Sequence, residues 1–170
     1  MLVDNTSGVL SRVAGLFSRR GYNIDSLTVG ETADPRYSRM TVVARGDELI
    51  LDQITKQVAK LIDVVDIKTL KEEESVCREL ILVKVRADAQ NRQAIISLAN
   101  VFRANIIDVG VDSLIIELTG AQSKLDAFLK LLDGYEILEL ARTGITGLSR
   151  GTFDVKMYDE DGKLMDYDFS

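Results

Sequence analysis

Three residues near the start of the chain, Asn5, Gly8 and Asn23, have the chemistry to hold a small polar ligand. A carboxamide carries two N–H donors and an oxygen acceptor, so it can face an ammonium with its oxygen and a carboxylate with its nitrogen. Gly8 has no Cβ, which would let a ligand approach the backbone closely. On the pattern alone a structural interpretation is favoured, in which Asn5 is a turn residue and Asn23 a loop residue after a glycine cap.

The stretch around these residues predicts a polar loop, an amphipathic helix and a glycine stop. The loop, residues 4–8, ends at a helix start, where backbone N–H groups lack intrahelical partners and the helix dipole is positive. Such a helix start binds small anions such as carboxylates or phosphates. Gly21 stands where a left-handed C-cap is expected, after the basic residues Arg19 and Arg20. The helix is predicted to bury one apolar stripe, formed by Val9, Leu10, Val13, Leu16 and Phe17.

Catalytic chemistry has little support in the sequence. The chain has no histidine, which is the commonest general base and metal ligand. Its one cysteine, Cys77, therefore has no histidine to activate it and no partner for an intrachain disulfide. The acidic residues 72–74 are interpreted as solvated, and residues 159–161 lack the spacing of a calcium loop. The glycine-rich residues 144–151 lack the ending of a phosphate loop and are predicted to be a flexible exit from the second half.

Composition indicates an ordinary globular protein of one or two small domains. The chain has 170 residues, of which 46% are hydrophobic, and a formal net charge of −6. Residues 152–170 hold six acids and two lysines, so the rest is nearly neutral and lacks the basic stripe of a nucleic-acid surface. An RNA-binding sheet is also disfavoured, because Tyr37 is the only aromatic residue of the predicted third strand.

No stretch of the sequence is predicted to cross a membrane. The longest run without a charged residue is the ten residues 93–102, whereas a membrane helix needs about 18 apolar residues. No basic and then apolar signal peptide opens the chain. Together with the lone cysteine, these features favour a cytoplasmic location.

The predicted elements follow one order twice, β-α-β-β-α-β, which indicates an internal repeat rather than a solenoid. Residues 1–70 form the first unit, residues 71–76 a charged linker, and residues 77–151 the second unit, whose first strand is predicted at residues 79–87. The fold class is therefore α+β, with two tandem ferredoxin-like units whose antiparallel sheets carry helices on one face. Each unit of about 70 residues has a small core and one bare sheet face, so an oligomer is expected.

The two ends of the sequence give weaker signals. Residues 1–3 are short for a strand, so the first strand is expected to begin before Met1 or to be truncated. Residues 152–170 are predicted to form an exposed acidic β-hairpin that turns at Asp161 and Gly162, with a disordered tail as the alternative.

One combination of motifs resembles a known family. The stretch D-N-x-S-G-x-L-S-R-V-x-G-L-F-S-x-R-G-Y-N-I-D-S-L-T-V, residues 4–29, is similar to the regulatory small subunit of acetohydroxyacid synthase, also called acetolactate synthase. The resemblance covers nearly all of residues 1–151 and is specific in combination, although no single motif is. Further similar stretches lie at residues 34–41, 60–64, 78–84, 124–128 and 141–151.

The resemblance implies that the first unit is an ACT domain with a valine site at a homodimer interface. The implied contacts come from one loop of one protomer and from two residues that reach in from its neighbour. The second unit has residues 88–92 at the equivalent loop, without a glycine, and is not expected to bind valine in the same way. The implied valine contacts are Asn5, Thr6, Ser7, Gly8, Val9 and Leu10 of one protomer, with Asn23 and Ile24 of the neighbour.

The resemblance also implies a partner and a pathway. The catalytic large subunit is a separate chain that would carry thiamine diphosphate, magnesium and FAD. It joins two pyruvates, or pyruvate and 2-oxobutyrate, with loss of carbon dioxide, in branched-chain amino acid biosynthesis. The present chain would be non-catalytic, would hold no cofactor or metal, and would activate its partner and make it valine-sensitive. The alternative is a free-standing ACT amino-acid sensor without an enzyme partner.

Overall fold

The protein forms two antiparallel sheets, each with two helices packed on one face, which confirms the α+β class and the two ferredoxin-like units. The structure is a computed structural model, and it describes residues 1–152, 157–158 and 164–165. Within these residues, no helix is long and apolar enough to cross a membrane.

The first sheet has the strand order β2-β3-β1-β4, so β2 lies at one edge and β1 in the interior. Strand β1 has only three residues, and it pairs with β3 from Leu2 opposite Arg39 to Asp4 opposite Tyr37. The elements of this unit are β1 Leu2–Asp4, α1 Val9–Arg20, β2 Ser26–Glu31, β3 Tyr37–Val43, α2 Glu48–Val58 and β4 Val64–Asp66.

Helix α1 follows its sequence signals with one exception. It ends at Gly21, whose φ of 70° is left-handed and whose capping contacts satisfy the carbonyl groups of the last turn, as the glycine predicted. The predicted apolar stripe is buried except for Leu10, which is 45% exposed, so the prediction of a buried Leu10 is wrong. Leu10 lies at the edge of the stripe, in the first helical turn beside the loop. The stripe completes a core with residues of β1, β3 and α2, namely Val3, Met40, Ile54 and Val58.

The second unit repeats this plan with a larger core. Its sheet has the order β6-β7-β5-β8, and every buried residue of its core is 0% or 1% exposed. The elements are β5 Ser75–Arg86, α3 Arg92–Val101, β6 Asn105–Val109, β7 Ser113–Gly120, α4 Gln122–Leu131, β8 Ile137–Arg142 and β9 Thr146–Ser149.

Strand β9 corrects two sequence predictions. The glycine-rich segment is not a flexible exit, because Thr146–Ser149 pairs with the start of β5, and this pairing extends β5 back to Ser75 rather than to residue 79. Gly147 marks a close approach of neighbouring side chains, since a Cβ there would lie 2.7 Å from Cys77 Sγ and 2.9 Å from Leu70 Cδ1. The glycine that suggested flexibility therefore permits tight packing.

The segment before β9 also contacts the first unit. Thr28 Oγ1 donates to the carbonyl oxygen of Ile145 at 3.2 Å, and the Ile145 N–H donates to Ser26 Oγ at 3.4 Å. Gly144 is left-handed, with a φ of 83°, and a Cβ there would lie 2.9 Å from Ser26 Cβ. The two units are thus joined through strand β2 as well as through the chain.

Two short strands, β10 Met157–Tyr158 and β11 Leu164–Met165, pair antiparallel beyond the second unit. This pairing is that of the predicted tail hairpin. The predicted turn at Asp161 and Gly162 lies outside the described residues.

Candidate functional site

The loop between β1 and α1 leaves the start of the helix open. Gly8 occupies the N-cap position with a left-handed φ of 88°, and no side chain caps the helix. The first intrahelical bond runs from the Arg12 N–H to the Gly8 carbonyl oxygen at 3.0 Å. The N–H groups of Val9, Leu10 and Ser11 therefore have no hydrogen-bond partner in the described part of the chain. They lie at the positive end of the helix dipole, where an anion is stabilised.

The Asn5 side chain is tied to the turn between β2 and β3. Its Nδ2 donates to Glu31 Oε2 at 3.1 Å and to the Pro35 carbonyl oxygen at 2.9 Å, while its Oδ1 accepts from Ser38 Oγ at 3.0 Å. Both donors are thus in use, and one lone pair of Oδ1 is left. In this arrangement Asn5 can accept from an ammonium, but it can donate to a carboxylate only by releasing Glu31 or Pro35. Asn5 therefore links the loop before α1 to the turn between β2 and β3, and it keeps one acceptor.

An arginine pair fixes the same loop from the other side. The Arg12 guanidinium contacts Asp63 through two bonds, Nε to Oδ2 at 2.6 Å and Nη2 to Oδ1 at 2.7 Å. These hydrogen bonds hold the pKa of the Asp63 carboxyl below its ordinary value. The carbonyl oxygen of Asp63 also accepts from the Asp4 N–H at 2.9 Å, so one residue anchors both ends of the loop.

Gly8 is required here for a different reason from the one the sequence suggested. A Cβ on Gly8 would lie 2.9 Å from Arg12 Nη1. The Arg12 guanidinium therefore occupies the space beside Gly8 into which the sequence predicts that a ligand approaches. The left-handed φ independently favours glycine. Sequence reasoning missed Arg12 and Asp63 as a pair because 51 residues separate them. The only sequence signal for these two residues is that each lies in a stretch that resembles the family, Arg12 in residues 4–29 and Asp63 in residues 60–64.

Asn23 and Ile24 lie at the opposite end of α1 from this loop. The helix has 12 residues, which at about 1.5 Å per residue gives a length of about 18 Å. Asn23 is exposed and its Nδ2 donates to Asp25 Oδ1 at 2.6 Å, whereas Ile24 is half-buried against the core. One protomer therefore brings together Asn5, the exposed Thr6 and Ser7, and the start of α1, but it does not bring Asn23 or Ile24 to them.

The corresponding loop of the second unit is closed by its own side chains. Asp88 Oδ1 accepts from the N–H groups of Gln90 at 2.9 Å and Asn91 at 3.0 Å. The Arg92 guanidinium donates to three backbone carbonyl oxygens, those of Ala87, Gly110 and Val111. The chain thus supplies its own carboxylate to the loop before α3, although α3 itself has no side-chain cap.

A cavity of about 620 Å³ lies elsewhere, lined by residues from the start of β1, from β3 and α2, from residues 66–70 and from the segment around β9. None of the eight predicted site residues lines it. Among the described residues, no cluster of His, Cys, Asp or Glu has the arrangement to hold a metal ion. The loop before α1 is therefore the candidate site.

Two family profiles match the chain, one for each unit. Residues 1–66 match the "AHAS small subunit-like ACT domain", and residues 78–151 match the "Small subunit of acetolactate synthase". The chain is 53% identical over 152 residues to the "Probable acetolactate synthase small subunit" of Methanothermobacter thermautotrophicus, with 89% of this chain and 90% of that protein covered. It is 49% identical over 152 residues to the "Acetolactate synthase isozyme 3 small subunit" of Salmonella typhimurium, with 89% and 93% covered.

A solved structure supports the same relationship. The crystal structure of the acetolactate synthase small subunit from Thermotoga maritima superposes with a TM-score of 0.83 at 45% identity, and the match covers 89% of this chain and 95% of that one. The resemblance seen in the sequence is thereby confirmed over both units. This chain belongs to the family of acetolactate synthase small subunits, with an ACT domain as its first unit.

Proposed function

We propose that this chain is the regulatory subunit of acetolactate synthase in branched-chain amino acid biosynthesis, and that it binds valine at the loop before α1. Its relatives are named small subunits, which implies a separate catalytic large subunit. The reaction takes place on that partner, with its thiamine diphosphate, magnesium and FAD. The small subunit raises the partner's activity and makes it sensitive to feedback inhibition by valine.

The single observation that carries this proposal is the uncapped start of α1 beside Asn5. The free N–H groups of Val9, Leu10 and Ser11 suit the carboxylate of an amino acid, and the remaining lone pair of Asn5 Oδ1 suits its ammonium. The exposed side chain of Leu10 offers apolar surface to a branched side chain. An α-amino acid with a small apolar side chain matches all three features.

The site is proposed to be completed by a second copy of the chain. Asn23 and Ile24 lie about 18 Å from the loop within one protomer, so they reach a shared ligand only from a neighbour. Among the described residues, strand β2 pairs with a neighbouring strand on one side only, and an edge strand favours pairing with another chain. Valine between two protomers would favour one arrangement of the dimer, which the catalytic subunit senses. The coupling would be on the order of 1–3 kcal/mol, which is typical of allosteric pairs.

The test combines this chain with the catalytic subunit and follows acetolactate formation while valine is titrated. We expect activity to rise when the chain is added and to fall again with valine. Asn5→Ala should keep the activation and lose the valine response, because it removes the acceptor and loosens the loop. Asn105→Ala is the matched control, since Asn105 makes an equivalent bond to Glu117 at 3.1 Å in the second unit. A chain that neither binds nor activates the catalytic subunit would contradict the regulatory role.

A further inference from the structure

We infer that Glu31 recognises the ammonium of the effector and restricts the site to amino acids over the corresponding 2-oxo acids. This inference rests on the proposed function and adds a residue that determines ligand specificity. Glu31 is the last residue of β2, its side chain is exposed, and its Oε2 lies 3.1 Å from Asn5 Nδ2.

The Glu31 carboxylate is available to a ligand cation. Its hydrogen-bond partner is a neutral amide, and no Lys or Arg of the described chain forms an ion pair with it. The nearby cations have carboxylates of their own, because Arg12 contacts Asp63 at 2.6 Å and Arg36 contacts Asp34 at 2.6 Å. An incoming ammonium would form the ion pair that Glu31 lacks among the described residues.

The loop has two poles of opposite sign. The start of α1 provides positive partial charge and free N–H donors, and Glu31 with the free lone pair of Asn5 provides negative charge and acceptors. An α-amino acid carries a carboxylate and an ammonium on adjacent carbons, so it has one group for each pole. A 2-oxo acid carries a carbonyl oxygen in place of the ammonium, and that oxygen would face the Glu31 carboxylate without a proton between them.

Such discrimination fits the proposed function, because the catalytic partner's substrates are 2-oxo acids. A regulatory site that admitted them would respond to substrate as well as to end product. Specificity of this kind needs a group that repels the competitor as well as one that attracts the ligand, and one carboxylate does both.

The test is isothermal titration calorimetry on the full-length chain with L-valine and with 2-oxo-3-methylbutanoate, the 2-oxo acid of the same carbon skeleton. The variant Glu31→Gln keeps an oxygen acceptor for Asn5 and removes the charge. We expect its Kd for valine to rise about tenfold, which is the scale of one hydrogen bond to a charged group. Its Kd for the 2-oxo acid should stay within about twofold of the wild-type value or fall.

Glu117→Gln is the matched control, because Glu117 accepts from Asn105 at 3.1 Å in the second unit. It should leave both affinities unchanged. The role of Glu31 is overturned if Glu31→Gln raises the Kd for valine and the Kd for the 2-oxo acid equally, or if it leaves the Kd for valine unchanged. Either result would leave the valine site itself intact. Wild-type protein that binds no valine would instead overturn the proposed function itself.

Discussion

The loops before α1 and α3 hold the same place in the two units, and neither helix has a side-chain cap, yet the loops themselves differ. In the second unit the Asp88 carboxylate accepts from the N–H groups of Gln90 and Asn91. In the first unit Gly8 stands at the helix start, and no described side chain accepts a hydrogen bond from the N–H groups there. On the proposed function, a few loop residues rather than the shared fold decide which unit binds.

A second comparison concerns the arginine pair in each unit. Arg12 contacts Asp63 beside the candidate site, and Arg142 contacts Glu79 through Nε at 2.9 Å and Nη2 at 2.8 Å. The Glu79 side chain is 4% exposed and that of Asp63 12%, so both carboxylates are largely covered. The first pair holds a loop that is proposed to bind a ligand, whereas the second joins β5 to β8. Substitutions should therefore separate loss of binding from loss of stability.

The largest effect on stability is expected from Arg142→Met. It leaves the Glu79 carboxylate largely buried without its cation, which should lower the free energy of unfolding by about 3 kcal/mol. Urea unfolding measures this loss. Arg12→Met should cost less, because the Arg12 side chain is 46% exposed, and it should weaken valine binding more. If Arg142→Met and Arg12→Met lose stability and valine affinity in the same proportion, the two ion pairs do not have separate roles.

Gly8→Ala should have the next largest effect. A Cβ would collide with the Arg12 guanidinium and would strain a left-handed backbone, at a cost of about 1–2 kcal/mol. We expect the Kd for valine to rise by about tenfold or more, measured by calorimetry. Gly134→Ala is the control, since it lies in the second unit and a Cβ there meets no described atom within 4 Å. Equal affinities for the two variants would show that the loop conformation is irrelevant to binding.

Asp88→Ala should have a smaller effect, confined to the second unit. It removes the acceptor for two N–H groups near the start of α3, which should lower the free energy of unfolding by about 1 kcal/mol. The valine stoichiometry should stay unchanged, because the loop gains free donors but no counterpart of Asn5. A new valine site in this variant would mean that free N–H groups in the loop are sufficient for binding.

The smallest effect is expected in the pH dependence of stability. The pKa of Asp63 is below its ordinary value of about 3.9 because of the hydrogen bonds with Arg12. The pair's contribution is therefore fully present above about pH 4 and is lost as the pH falls through the lowered pKa. Asp63→Asn should be less stable than wild type at pH 7, and the difference should shrink toward pH 2. A difference that is constant with pH would show that the pair does not act through charge.

The sequence predicted what depends on local pattern. The order of elements, the repeat, and the helix end at Gly21 all follow from periodicity and glycine chemistry, and the structure has them. Residues 5–8 were singled out because a polar loop before an amphipathic helix is a local signal. Another local feature, the absence of a glycine in residues 88–92, predicts that the loop of the second unit differs.

What the sequence left open depends on contacts between distant residues. Strand β9 exists because β5 offers it an edge, and Thr146–Ser149 alone has no strand pattern. The hydrogen bond between Asn5 and Glu31 joins residues that are 26 positions apart in the sequence, and no periodicity predicts it. Leu10 belongs to the apolar stripe by spacing, yet it is 45% exposed, although Val9 in the same turn is only 3% exposed. Such features follow from tertiary packing.

The central claim is that valine sits between two chains, with the Asn5 loop of one and Asn23 of the other. Two differently tagged variants, Asn5→Ala and Asn23→Ala, can be coexpressed and their heterodimer isolated by both tags. Each homodimer should bind valine at least about tenfold more weakly than wild type. Calorimetry of the heterodimer should recover one site of wild-type affinity per dimer, because one interface then contains both intact residues. A heterodimer with no site of wild-type affinity would contradict a site shared between protomers.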